Sequence, residues 1–275
     1  MLSVSPNTLR SWEQRFGHPT PRRTEGGHRI FELDEIEALR GALAETGDVA
    51  SAIAVARARG EGPSTAERLR RAFASYDETA ADRLLEESLA FRSVERTVQE
   101  LLLAAVKLLG DGSPERSFAC RYAAGWLAAA KRVAPPASAR EGVLVFDTST
   151  PEQLDGLHAQ AFELLLRRAG LRTLCLPSTL AEERIGSAVR ALQPSALVLA
   201  GAGAPLQRLG RLVHATRLLC GEIAVFDFRG ALPHTGASTF TSLGEQPVEA
   251  TQRVREHMTA SAGGRSVPAA AASRA

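Results

Sequence analysis

Residues 5–31 read SPNTLRSWEQRFGHPTPRRTEGGHRIF. Ser5 followed by Pro6 is a helix-start signal. The hydroxyl caps free backbone N–H groups, and proline suits the first helical position because it has no N–H to leave unpaired. From there Leu9, Trp12 and Phe16 fall at helical spacing on one apolar face, with Asn7, Arg10, Ser11 and Gln14 on the opposite, polar face. Two arginines (Arg22, Arg23), a Gly26-Gly27 turn and then His28-Arg29-Ile30-Phe31 complete a basic hairpin. A short helix with a polar reading face followed by such a hairpin is what a winged helix-turn-helix presents to DNA.

Working outward, the chain has 275 residues, enough for about two domains. With 44% apolar and 23% charged residues it has the composition of an ordinary soluble globular protein. A net charge of +2 says nothing by itself about nucleic acid, but its distribution does. Within residues 1–31, Arg10, Arg15, Arg22, Arg23 and Arg29 face only Glu13 and Glu25. Cys120, Cys175 and Cys220 are too scattered for a zinc motif or a disulfide framework. No apolar run reaches membrane-spanning length and no signal peptide stands out, so a cytoplasmic protein with no membrane partner is expected.

Four regions separate along the chain. Residues 1–59 form the DNA-binding module, with further helices expected over 34–45 and 48–59 and with Asp34 and Asp48 as their caps. A Gly60-Glu61-Gly62-Pro63 linker follows. Residues 64–133 carry only helical periodicity, with Leu69, Phe73, Leu84, Leu85, Leu89, Val94, Val98, Leu101, Leu102 and Val106 recurring, and read as a helical bundle. Its last helix is expected to start after Gly110-Asp111-Gly112-Ser113-Pro114 and run through Trp126, ahead of the Pro135-Pro136 linker. Residues 141–258 alternate strands (143–146, 172–176, 196–199, 223–226) with helices (152–168, 180–192, 206–219, 247–257), the pattern of a parallel α/β sheet. The tail, 259–275, is Ala/Gly/Ser-rich and expected to be disordered.

The blocks SPNTLRSWEQRFG and RTEGGHRIF, in this order and at this distance, resemble the MerR family of transcriptional regulators. A winged helix-turn-helix, a helical bundle and a Rossmann-like domain in succession further resemble the cobalamin-dependent, light-responsive subgroup of the CarA/CarH/LitR type. The resemblance is tight over the first 60 residues and mainly architectural beyond. It implies an α plus α/β multidomain fold ending in a Rossmann-like parallel domain of the cobalamin-binding type. It also implies a homo-oligomer on inverted repeats in double-stranded DNA, acting as a repressor and not as an enzyme. Arg10 and Asn7 are candidates for base contacts, since arginine pairs bidentately with guanine and asparagine with adenine. Thr8, Ser11, Gln14 and His28 belong to the same candidate surface. Arg15, Arg22, Arg23 and Arg29 are candidates for phosphate and wing contacts. Trp12 and Phe31 are assigned to the small core. The family places a whole helix before the recognition helix, whereas this sequence begins with Met1-Leu2-Ser3-Val4, inside the turn. The expectation is a start codon assigned too late.

In the cobalamin-dependent subgroup an E-x-H-x-x-G motif supplies the lower cobalt ligand. Aligned on the helix end at residues 164–170, that motif falls on Gln153-Leu154-Asp155-Gly156-Leu157-His158. The ligand position becomes Asp155, a hard oxygen donor in place of imidazole, and the glycine becomes His158. The Trp-x9-Glu-His segment that caps the corrin corresponds to residues 106–117, ending in Arg116-Ser117. The Gly-Gly pair expected after the fourth strand reads Asp227-Phe228. Three elements of the site thus depart from the pattern. The expectation is no bound cofactor and control by another ligand or a regulatory protein partner. The alternative is cobalamin held by non-standard ligation, with His158 as a displaced ligand or Trp126 as a relocated cap. The Gly201-Ala202-Gly203-Ala204 loop reads as a tight strand-to-helix turn in preference to a phosphate site. Asp147, Asp155, His158, Asp227 and His234 could gather at strand ends, but none sits in a nucleophile or metal motif.

Overall fold

In the computed structural model, the structure describes residues 5–19, 21–23, 29–31, 33–58, 64–139, 142–150, 153–201, 204–232 and 240–264. The first unit comprises α1 (Pro6–Phe16), a hairpin of β1 (Arg22–Arg23) and β2 (Arg29–Ile30), α2 (Leu33–Thr46) and α3 (Val49–Ala58). The hairpin is antiparallel, with Arg23 opposite Arg29. Leu39, Ala42, Ala52, Ile53 and Ala56 form its core, against which Trp12 and Phe16 pack. Phe31, assigned to the same core, is half-buried. Asp48 caps α3 as expected, accepting from Ser51 N at 2.8 Å, and this bond holds its carboxyl below the usual range. Asp34 does not flank α2: the helix begins one residue earlier, at Leu33.

The bundle follows with α4 (Ala66–Ala74), α5 (Glu78–Phe91), α6 (Val94–Arg96), a π-helical stretch (Thr97–Leu103), α7 (Ala104–Lys107) and α8 (Pro114–Arg132). Serine or threonine hydroxyls cap α4, α6 and α8, and the Asp77 carboxylate caps α5, so local chemistry sets each start. The expected apolar positions line the core, except that Leu89 is exposed and Val94 only half-buried. Helix α8 runs one and a half turns beyond Trp126, to Arg132.

The last unit is a parallel sheet in the order β4-β3-β5-β6-β7, made of β3 (Gly142–Asp147), β4 (Arg172–Pro177), β5 (Pro194–Ala200), β6 (Ala224–Phe228) and β7 (Thr241–Ser242). The helices are α9 (Leu154–Arg168), α10 (Glu182–Leu192), α11 (Leu206–Cys220) and α12 (Pro247–Gly264). Alternation along the strands makes two cores. Val143, Val145 and Val198 join α9 and α12 on one face, while Leu144, Phe146 and Leu199 join α10 and α11 on the other. Three sequence expectations change here. The fourth strand reaches Phe228 instead of ending at 226, a fifth short strand appears, and the residues expected to open a disordered tail, 259–264, continue α12 as helix. Residues 265–275 lie outside the described residues.

Helix α9 explains its own composition. Every residue from Gly156 to Leu166 except Gln160 is buried. Leu157, Ala161, Leu164 and Leu165 belong to the bundle core, and Ala159, Phe162 and Leu166 to the sheet core. A helix apolar on nearly all sides is one covered on nearly all sides.

Candidate functional site

The chain offers two places to look: the exposed face of α1 with its hairpin, and the crevice at the carboxyl ends of the strands. On α1, Ser5 Oγ accepts from Thr8 N at 3.2 Å, Pro6 occupies the first turn, and Gly17 ends the helix in the left-handed region, its N–H bonded to Glu13 O at 2.7 Å. Asn7, Arg10, Ser11, Gln14 and Arg15 are exposed, and Thr8 is half-buried. Arg10 Nη1 donates to Asn7 Oδ1 at 3.2 Å, which holds the two base-contact candidates side by side one turn apart. Arg15 lies over the Phe16 ring, its guanidinium carbon 5.3 Å from the ring centre.

Arg29 has a partner that the sequence did not reveal. Its Nε sits 3.0 Å from Glu13 Oε2, tying the second hairpin strand to the middle of α1. This pair fixes the angle between helix and hairpin and takes up part of the charge that a phosphate would otherwise meet. Arg22 and Arg23 stand in β1, while His28 lies outside the described residues.

In an open parallel sheet, ligands enter where strand order reverses. Here that point lies between β3 and β5. Thr148, just past β3, closes it: both its N and its Oγ1 donate to Ala200 O at 2.9 Å, and Oγ1 also makes a short bond to Gly201 O. Gly201 has φ +79°, and an added Cβ would come within 3.1 Å of Thr148 Oγ1 and 3.5 Å of Asp155 Cβ. Gly156 is equally constrained, since a Cβ there would meet Thr150 O at 2.6 Å. The loop and the start of α9 are therefore pressed together. Gly201 behaves as the tight strand-to-helix turn expected of it, and Ala202 and Gly203 lie outside the described residues.

Asp155, at the position aligned with the lower ligand, is in the first turn of α9. Arg229 Nε donates to its Oδ1 at 2.7 Å, and Arg229 Nη1 to Glu245 O at 2.9 Å. Because β6 runs on to Phe228, Asp227 and Phe228 are buried strand residues and not the pair after the strand. Asp227 Oδ1 accepts from Leu232 N at 3.0 Å, and Phe228 packs on Phe162 with ring centres 4.8 Å apart. The residues that follow the strand are Arg229 and Gly230, both in the left-handed region at φ +63° and +73°. A buried carboxylate can lie within a strand when backbone N–H satisfies it, as Leu232 N does for Asp227.

Asp147 accepts from Ser149 N at 2.9 Å, and also from the Ser149 hydroxyl. Burial pushes its carboxyl up, opposed by the Ser149 bonds and reinforced by Asp155. His158 is buried, with Nδ1 2.9 Å from Leu154 O. Burial first, then the neighbouring Arg229 charge, lowers its pKa to about 4, so it is neutral at pH 7. Arg116 is held locally, with its N on Ser113 Oγ at 3.1 Å, Nη1 on Leu109 O at 3.1 Å, and Asp111 as ion-pair partner. Ser117 Oγ donates to Ser113 O at 3.3 Å. Trp126 is half-buried against the bundle core. Among the described residues no group of three His, Cys, Asp or Glu could hold a metal, and no helix is long and apolar enough to cross a membrane. His234 lies outside the described residues.

The MerR HTH family regulatory protein description matches residues 1–43. The chain is similar to the HTH-type transcriptional repressor CarA of Myxococcus xanthus, 31% identical over 120 residues that cover 40% of this chain and 42% of CarA. It is similar over a longer stretch to the HTH-type transcriptional repressor CarH of the same organism, 26% identical over 222 residues, 70% of this chain and 73% of CarH. Among solved structures, the monomethylamine corrinoid protein of Methanosarcina barkeri aligns with 69% of this chain and 96% of its own, at 14% identity and a TM-score of 0.48. Residues 1–43 are thus similar to MerR HTH family regulatory proteins, and longer stretches of the chain to the CarA and CarH repressors.

Proposed function

We propose that the chain is a DNA-binding transcriptional regulator, a repressor, that works on inverted repeats as a dimer or higher oligomer. The observation that carries this reading is the capped helix α1, which exposes Asn7, Arg10, Ser11 and Gln14 beside a hairpin that pairs Arg23 with Arg29 and Arg22 with Ile30. Asn7 and Arg10 read base edges in the major groove, while Arg15, Arg22 and Arg23 position the module on phosphates. Arg29 acts through Glu13, setting the hairpin's approach.

The same reading has no place for cobalamin in the family's manner, and nothing in it calls for catalysis. Asp155 stands at the aligned ligand position already paired with Arg229, and Thr148 bridges the crevice to Ala200 O. The residues present do not fit the group. The regulator therefore acts independently of cobalamin and light, or answers to another ligand or a protein partner.

Duplexes selected by the full chain from a random pool supply the operator for a test. Arg10→Ala should lose about 1–3 kcal/mol at one base position, and Arg23→Ala should weaken all sequences alike and flatten the salt dependence. If both variants bind as the parent does, the assignment of the surface is wrong. Protein purified with added adenosylcobalamin should carry no corrin absorbance. A corrin spectrum retained through gel filtration would restore the alternative of non-standard ligation, and its loss in His158→Asn would name the ligand.

A further inference from the structure

At the opposite end of the sheet from the crevice, the end of α8, the Pro135-Pro136 linker and the edge strand β4 enclose a cleft of about 700 Å3. Its walls carry Lys131, Arg132, Arg167 and Arg172 and no carboxylate. We propose that this cleft binds a small organic phosphate of the nucleoside di- or triphosphate class, the phosphates on the four cations and the ring against Pro135, Pro136 and Leu174. The volume lies within the range of small-molecule sites, and a polar rim set on an apolar wall is the usual form of such sites.

Three of the cations are held in place by neighbouring groups of the chain. Glu163, buried beneath, accepts from Lys131 Nζ at 2.7 Å and from Arg167 Nη2 at 2.7 Å. Arg172 Nη2 donates to Ala191 O at 2.6 Å. One buried carboxylate thus orients two of four positive charges and leaves the set with a surplus of three. Arg132, exposed, has no hydrogen bond or ion pair among the described residues. Cations at helix ends offset the helix dipole, and Lys131, Arg132 and Arg167 stand in last turns. That accounts for their presence there. It does not account for Arg172, which belongs to a strand. All four cations stand around one cleft whose lining holds no carboxylate, and guanidinium and ammonium groups bind phosphate oxygens by charge-assisted bonds.

The test uses the full chain in equilibrium dialysis with ATP, adenosine and inorganic tripolyphosphate. ATP should bind saturably at one site per chain, more tightly than either of the others. Arg132→Gln and Arg172→Gln should each weaken it by about tenfold or more, with Arg132→Lys recovering much of the loss and thermal midpoints confirming that every variant folds. No saturable ATP binding, or binding that both variants leave unchanged, overturns the proposal. Tripolyphosphate binding as tightly as ATP overturns the role given to the apolar wall. Variants that lose affinity for duplex DNA while keeping it for ATP would reassign the cations to the DNA surface and overturn it as well.

Discussion

Charge is used in opposite ways at the two candidate surfaces. On α1, Arg10 and Arg15 stay in solvent, their side chains steadied by Asn7 and by the Phe16 ring, and remain open to a partner. At the sheet crevice, Arg229 is committed to Asp155 and to Glu245 O, Thr148 to Ala200 and Gly201, and Asp227 to Leu232. A surface that keeps its donors exposed is prepared to bind. One that has paired its donors internally has been made part of the fold. The contrast also shows why charge counts alone mislead: Arg29 and Arg229 are both arginines at a candidate site, and both are engaged with carboxylates of the same chain.

The contrast can be broken first in the interior. Phe162→Ala should remove about 3–5 kcal/mol of stability by opening a cavity under Phe228, measured by urea unfolding. Affinity for selected DNA, taken where the variant is still folded, should hold. Next is acid sensitivity at the crevice. Burial holds the His158 pKa at about 4, below the ordinary histidine value of 6.5. A depressed value means that its contribution is intact above pH 6.5, drains away as pH falls, and is gone below about 4, a difference of about 3 kcal/mol. Urea midpoints followed from pH 7.5 downward should show that loss, and His158→Asn, which keeps a donor for Leu154 O, should flatten it. Arg10→Ala comes third, at about 1–3 kcal/mol on DNA, with unchanged stability. A comparable loss of stability would mean that the face is structural. Smallest is Ser5→Ala, about 1 kcal/mol of stability through the lost cap, read as a shift in thermal midpoint.

How far the sequence could be read followed the range of the interactions concerned. Helix α1 and the hairpin are legible because Ser5, Pro6, Gly17 and the arginine pairs act within a few residues. Strands β3 to β6 announce themselves by apolar alternation with helices. The two-residue β7 has too little pattern to be seen. Asp227 reads as a boundary from sequence alone because its satisfying N–H, on Leu232, comes from a turn whose path the sequence does not disclose. The crevice was legible only as a set of departures from a motif. What fills it, a pair linking positions 155 and 229, is a contact between distant parts of the chain that no local rule supplies. The Lys131–Glu163–Arg167 cluster escaped for the same reason.

Helix α9 has one more consequence. The proline pair at Pro135-Pro136 looks like a seam along which the chain could be cut into separate pieces. Yet the helix beyond it lends Leu157, Ala161, Leu164 and Leu165 to the core of the helical bundle. A fragment ending at the prolines would lose one wall of its interior, and a fragment starting there would carry a greasy flank into water. The two halves should therefore melt as one calorimetric event, and whatever reaches the DNA-reading end must arrive as a movement of that joint block, not as one half swinging on the other.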